Sequence, residues 1–169
     1  KKAMIFADKL IKNFEDKESS GYFINDKRYR NLIFAPKDSF DGAMPSGNSM
    51  TCYVLNRLSR ITAQKEIVIA ASRQSQYLNS VAGFNGNHYS FGLIALMQEY
   101  YPAKEITVVA KNNKEISSVK ENKKIFSPNT NYIAKFIEGD DPSDLVEFLK
   151  DYELKNNTTT YYVCQNNNC

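Results

Sequence analysis

Two hydrophobic periods run through this chain, and one gives way to the other at Pro102. Upstream, apolar residues recur at intervals of three and four. Ala3, Phe6, Ala7, Leu10, Ile11 and Phe14 form one such series, Met50, Val54, Leu58 and Ile61 a second, and Ile67, Ala70, Ala71, Leu78 and Val81 a third, with Gln74 in register. That spacing places each series on one side of an α-helix. Downstream, the apolar residues come in short β-branched or aromatic runs, "EITVVA", "NYIAKFI" and "TTTYYVC", which suit strands by length and composition. A chain that changes period in this way is expected to fold as two parts, residues 1–102 and 103–169.

The first part reads as helices over residues 3–14, from Met50 onward, over 65–82, and from about His88 to Tyr100. "GFNGN" stops the third helix with Gly83 and Gly86, and the fourth ends ahead of Pro102. Between the first two, "GYFIN" and "RNLIFAP" read as short strands around the polar tip "DKRY", with Pro36 closing the second. The expectation is an antiparallel helical array with one inserted β-hairpin.

The second part reads as strands Glu105–Ala110, Asn131–Ile137 and Thr160–Cys164. "DDPSDLVEFLKDY" has a proline at the start and an acidic first turn, which predicts a helix over Pro142–Tyr152. A weaker helical pattern surrounds Ile116 and Val119. Strands alternating with helices predict a three-stranded parallel sheet in βαβαβ order. The fold class is thus mainly α with a small α/β part. "AKNNKE" after the first strand lacks the glycines of a phosphate-binding loop, so the second part is expected to be a lid or docking element without a nucleotide.

Composition excludes little but is consistent with this. Hydrophobic residues make up 42% and charged residues 24% of the chain, and eleven Tyr and ten Phe supply bulk in place of the missing Trp. The net charge of +3 is small and scattered, so nucleic acid is not an expected partner, and Lys27, Arg28 and Arg30 read as a solvated hairpin tip. No apolar run approaches the roughly 18 residues that span a bilayer, and the amino-terminal stretch is broken by Asp8 and Lys12, unlike a signal peptide. A cytoplasmic protein without membrane contact is expected. The chain starts on Lys1, which suits a piece of something longer.

The most turn-rich segment is "DGAMPSGNS", residues 41–49, directly ahead of the second helix. Ser46 or Asn48 is suited to cap that helix, Gly42 and Gly47 supply backbone freedom, and Pro45 stiffens the turn. Asp41, Ser46, Asn48 and Ser49 around a helix N-terminus also form a plausible cradle for an anionic or polyhydroxylated ligand. Local pattern does not separate the two roles.

"FDGAMPSGNSMTCYVLNRLSRIT", preceded by "GYFINDKRYRNLIFAPKDS" and followed at the far end by "YYVCQNNNC", resembles the carboxy-terminal region of the large thioredoxin-domain-containing proteins that include bacterial YyaL and the spermatogenesis-associated thioredoxin-like proteins. The resemblance spans essentially the whole chain. It implies an N-terminal thioredoxin-like domain elsewhere in the protein, followed by an (α/α) toroid similar to sugar 2-epimerases and six-hairpin glycosidases. This chain has no Cys-x-x-Cys. It would supply the last toroid hairpins and a carboxy-terminal α/β appendage. The resemblance then implies that Asp41, Ser46, Asn48 and Ser49 stand at the mouth of a pocket for a sugar or other polar small molecule. It implies a chain that is catalytically silent by itself, within a protein that is carbohydrate-active or redox-linked.

Three further candidates complete the set. His88 is the sole histidine, in "NGNHYSFG", and an imidazole suits acid–base work beside a carbonyl, although no second catalytic group stands at a recognisable spacing. Cys164 and Cys169 form Cys-x4-Cys, too few ligands for a metal site; they read as inert thiols, with a redox couple the alternative that the thioredoxin-domain resemblance implies. Cys52 reads as a small core residue. Phe6, Phe14, Phe91, Tyr100 and Tyr101 read as core. No cofactor or metal is expected. The rival to a ligand pocket is a scaffold that docks the thioredoxin-like domain or a client protein, marked by a large apolar surface that would also drive self-association.

Overall fold

Four helices occupy the first of two units into which the chain divides, Lys1–Tyr100 and Tyr101–Cys169: α1 (Lys2–Phe14), α2 (Gly47–Thr62), α3 (Lys65–Ala82) and α4 (Ser90–Tyr100). The structure is a computed structural model and describes residues 1–29, 34–83, 85–101, 103–116, 129–139 and 141–165. Helix α2 is central and packs against both α3 and α4, which also touch each other. Small residues allow this closeness. Cys52, Leu78, Ala95 and Leu96 fill the space among the three helices, with Tyr53, Tyr77 and Val81 at its border. On the other side of α2, Leu55 joins Ile67, Ala70 and Ala71 of α3 and Met4 and Ala7 of α1, closed by Tyr22.

This arrangement corrects the expected toroid. Toroid hairpins stand side by side around an open centre, whereas α2, α3 and α4 pack mutually and their centre is filled by side chains. The inserted β-hairpin is also corrected. "GYFIN" forms no strand, only an isolated bridge between Glu15 and Tyr22, and most of its backbone groups are bound elsewhere. The Phe23 N–H donates to Phe14 O (2.9 Å), the Lys27 N–H to Asn13 O (2.9 Å), and the Tyr22 N–H to the Asn48 side chain (2.8 Å). A single backbone bond, Ile24 N–H to Pro36 O (3.0 Å), links the two expected strands; residues 30–33 lie outside the described residues. The end of α1 competed for these donors and won. Gly21, at φ +77°, lets the chain turn back beneath Tyr77, whose ring lies 2.9 Å from where a Cβ would stand.

The expected core faces of α1 and α2 are rotated. Met4 and Ala7 are buried, while Phe6 is 68% exposed; Cys52 and Leu55 are buried, while Met50 is 42% and Val54 37% exposed. Tyr100 and Tyr101 are likewise exposed rather than core.

In the second unit, β1 (Lys104–Ala110), β2 (Thr130–Phe136) and β3 (Thr160–Gln165) form a sheet in the order β2-β1-β3. β1 and β2 are parallel, in register from Lys104↔Thr130 to Ala110↔Phe136. β3 runs antiparallel to β1, from Lys104↔Gln165 to Val109↔Thr160, so the sheet is mixed and the all-parallel βαβαβ expectation is corrected. The registers give the reason. β2 ends beside Ala110 and β3 begins beside Val109, so the intervening chain leaves and returns at the same end of the sheet. The helix expected over Pro142–Tyr152 is absent. Two short 3-10 turns, Pro142–Asp144 and Glu147–Asp151, stand in its place, divided by Val146 in extended conformation. Asn156 and Asn157 then adopt positive φ of 52° and 57° and reverse the chain just ahead of β3. Val119 and its neighbours lie outside the described residues, whereas Ile116 is buried with Val108 and Ala110. On the opposite face, the buried Lys135 donates from Nζ to Leu149 O (2.6 Å) and Tyr152 O (3.0 Å), pinning the 3-10 segment to the sheet.

Among the described residues, Tyr22, Gln74, Thr107 and Gln98 each bury a side-chain polar atom without a partner. Gln98 of α4 is the extreme case, 1% exposed with neither its Oε1 nor its Nε2 partnered among the described residues. A buried amide without partners costs about 1–3 kcal/mol, and an apolar group of the same shape avoids that cost. Gln98→Met is therefore expected to raise the unfolding free energy by about 1 kcal/mol in urea titration, with an unchanged m-value.

Candidate functional site

The segment Asp41–Ser49 folds as a knot of internal hydrogen bonds at the start of α2. Ser46 is the N-cap, with extended backbone, and its Oγ accepts from the Ser49 N–H (3.1 Å) and donates to Ser49 Oγ (3.0 Å). Asp41 reaches both neighbouring helices. Its Oδ1 accepts from the Ser46 N–H (2.8 Å) and its Oδ2 from the Gly92 N–H in the first turn of α4 (2.9 Å). Burial disfavours the Asp41 charge, but the N–H groups of Ser46 and Gly92 and the hydroxyls of Ser49 and Ser46 outweigh it and hold its carboxyl below the usual range. Gly92 is required by close approach, because a Cβ there would lie 2.9 Å from Ser49 Oγ.

Asn48 faces the other way and is 2% exposed. Its Oδ1 accepts from the Tyr22 N–H (2.8 Å), while its Nδ2 donates to Tyr22 O (2.9 Å) and Asp38 O (2.7 Å). Gln74 of α3 donates from Nε2 to Asn48 O (2.8 Å) and to Asn48 Oδ1 (3.1 Å). One amide thus fastens the 20–40 segment and α3 to the first turn of α2.

The structure therefore brings Asp41, Ser46 and Ser49 into one chain of contacts and turns Asn48 onto a different set of partners. All four side chains are buried and hydrogen-bonded within the protein. Sequence reasoning missed Gly92, Gln74 and Tyr22. The signal for Gly92 was present, since a glycine inside the apolar helix "SFGLIALM" marks close backbone approach.

His88 is exposed, with its ring tilted against Phe40 (centroids 5.0 Å apart), and its carbonyl accepts the Asp41 N–H (2.8 Å). Cys164 is disulfide-bonded, and its Sγ lies 3.0 Å from the Tyr152 hydroxyl; Cys169 lies outside the described residues. Cys52 is free and buried, and burial pushes its thiol up to about 11. Among the described residues, no group of three or more His, Cys, Asp and Glu side chains is placed to hold a metal ion, and no helix is long and apolar enough to cross a membrane.

Two hollows mark the helical unit. One, of about 460 Å³, is of mixed character, with Glu15, Asp16, Asp26 and Lys27 beside Phe23 and Tyr29. The other, of about 560 Å³, is a trough between α1 and α2 with Phe6, Ala7, Leu10, Phe14, Met50 and Val54 along it. Neither includes Asp41, Ser46, Asn48 or Ser49. No family model matches the chain, and no curated protein matches it.

Two outcomes follow from the Asp41 contacts. Asp41→Asn is expected to cost about 2 kcal/mol at pH 7, because each lost charge-assisted bond leaves a buried N–H less well satisfied. The folded pKa lies below the unfolded one, so this contribution is complete above the unfolded value of about 3.9 and is lost as pH falls through the lower folded value. Urea midpoints of the two proteins should differ constantly from pH 7 to pH 5 and converge below pH 4. Gly92→Ala should destabilise by a similar amount at every pH.

Proposed function

We propose that the helical unit is a non-catalytic docking module for another protein domain, and that the thioredoxin-like domain implied by the sequence resemblance is its partner. One observation carries this conclusion. The candidate polar side chains Asp41 and Asn48 are spent on internal contacts, while apolar side chains of α1 and α2, Phe6, Met50 and Val54, stand outside along one trough. Apolar surface gathered in one place marks an interaction site more often than it marks a pocket for a sugar. On this view the contacts of Asp41 and Asn48 are the framework that holds α1 and α2 in position for docking. The setting consistent with it is cytoplasmic.

The state of Cys164 supports the choice of partner. A thioredoxin-like dithiol exchanges with a disulfide: one thiolate attacks a sulfur, a mixed disulfide forms, and the second thiolate releases it. This chain leaves with two thiols and the partner with a disulfide. Calorimetric titration of the chain with a Cys-x-x-Cys thioredoxin-like domain, and separately with neutral monosaccharides, tests the reading. Saturable binding of the domain with a negative heat-capacity change is expected. Sugar binding that disappears in Asp41→Ala, without binding of the domain, would reverse the conclusion in favour of a ligand pocket.

A further inference from the structure

The trough between α1 and α2 has a charge as well as a shape. Apolar side chains, Phe6, Leu10, Phe14, Met50 and Val54 among them, line it together with Lys9 and Arg28. Asp26 also lines it, but Arg28 grips it through Nε (3.0 and 3.1 Å) and Nη2 (2.6 Å), so this pair is electrically closed. Lys9 has no ion pair among the described residues. The flanking helices extend the same sign: α1 carries Lys2, Lys9 and Lys12 against the single acid Asp8, and α2 carries Arg57 and Arg60 and no acidic residue. The first turn of α2 contributes Met50 and Thr51 to the trough.

From these features we infer that the trough receives an amphipathic helix with acidic flanks, presented by the partner protein, its apolar side chains at i, i+3 or i+4, and i+7 lying between α1 and α2. The inference rests on the docking function proposed above and names the element of the partner that is bound. A concave apolar channel between two helices is the setting for helix-in-groove recognition, in which apolar anchors supply affinity and rim charges select the sequence. A membrane surface is a poorer match. A bilayer engages the apolar face of a helix lying flat in its interface rather than a trough between two helices.

The test is fluorescence polarisation of the whole chain with a labelled 16-residue helical peptide bearing Leu at positions i, i+4 and i+7 and Glu at flanking positions. Controls are the same peptide with Lys in place of Glu, and anionic phosphatidylserine vesicles. Saturable binding of the acidic peptide is expected, at least tenfold tighter than the basic one and weakening with salt. Phe6→Ser and Val54→Ser change exposed side chains, so the fold should persist by circular dichroism while affinity falls at least tenfold. Lys9→Glu should narrow the preference between the two peptides. Equal binding of both peptides, indifference to Phe6→Ser and Val54→Ser, absence of peptide binding, or vesicle binding in place of peptide binding would each overturn the inference. Capture of the thioredoxin-like domain by a chain that ignores the peptide would defeat this inference alone. Peptide binding without capture of that domain would defeat the choice of partner alone.

Discussion

The side chain of Asn48 is the contact on which the helical unit depends. It lies in the first turn of α2, where the backbone N–H groups of a helix lack internal partners, yet it is spent on distant chain segments rather than on its own helix end. Ser46 does the capping, which frees Asn48 to act as a surrogate for β pairing: its amide presents one acceptor and one donor to the two backbone groups of Tyr22, as a neighbouring strand would. This is why the segment after α1 needs no strand partner. It also explains the burial of so polar a residue, since every capacity of the amide is met and the cost of desolvation is recovered.

A second carboxamide and a carboxylate add further ties, although the buried Gln74 Oε1 has no partner among the described residues. Gln74 fixes α3 to the start of α2, and Asp41 fixes the start of α4 to it. The N-terminal turns of α2 and α4 and the middle of α3 therefore meet in one polar layer, with apolar clusters above and beside it. Directional bonds in that layer set the helix positions, and the small residues Ala70, Ala71, Ala95 and Gly92 let the backbones come close enough to be bonded. One side of α1 and α2 stays uncovered because Met4, Ala7 and Leu55 turn toward the interior cluster that Ile67 of α3 completes, which leaves Phe6 and Met50 outside.

Helix existence was legible in the sequence because long periodic segments carry their own signal, and Ser46 as a cap followed from its type and place. Which face was buried was not legible on α1 and α2. Two overlapping apolar stripes run along each helix, and only tertiary packing decided that Met4 and Cys52 go in while Phe6 and Met50 stay out. The hairpin failed for a similar reason: "GYFIN" has strand composition, but Phe23 donates to Phe14 and Tyr22 to Asn48, leaving Ile24 alone bonded to Pro36 among the described residues. In the second unit, β1 and β2 were legible as a parallel pair, while β3 depended on Val146 breaking a helical pattern and on Asn156 and Asn157 reversing the chain, both local backbone choices that composition underdetermines. For the candidate site, the sequence marks Asp41, Ser46, Asn48 and Ser49 as polar groups at a helix start, but the partners they take are fixed by residues far away in sequence, Tyr22, Gln74 and Gly92.

The strand order β2-β1-β3 has a bearing on how the chain is made. β1 is the middle strand, but its antiparallel neighbour is the last strand to be synthesised. While residues 104–136 emerge and pair, the edge of β1 that later receives β3 carries unsatisfied N–H and C=O groups along Ile106–Val109, a short, apolar and unprotected edge. At ribosomal speeds of about 5–20 residues per second, the 24 or so residues from there to the start of β3 keep that edge open for seconds. Nascent chains of this protein are thus most vulnerable to edge-to-edge pairing with one another on a crowded polysome, and any interruption of synthesis before Thr160 turns a transient exposure into a lasting one.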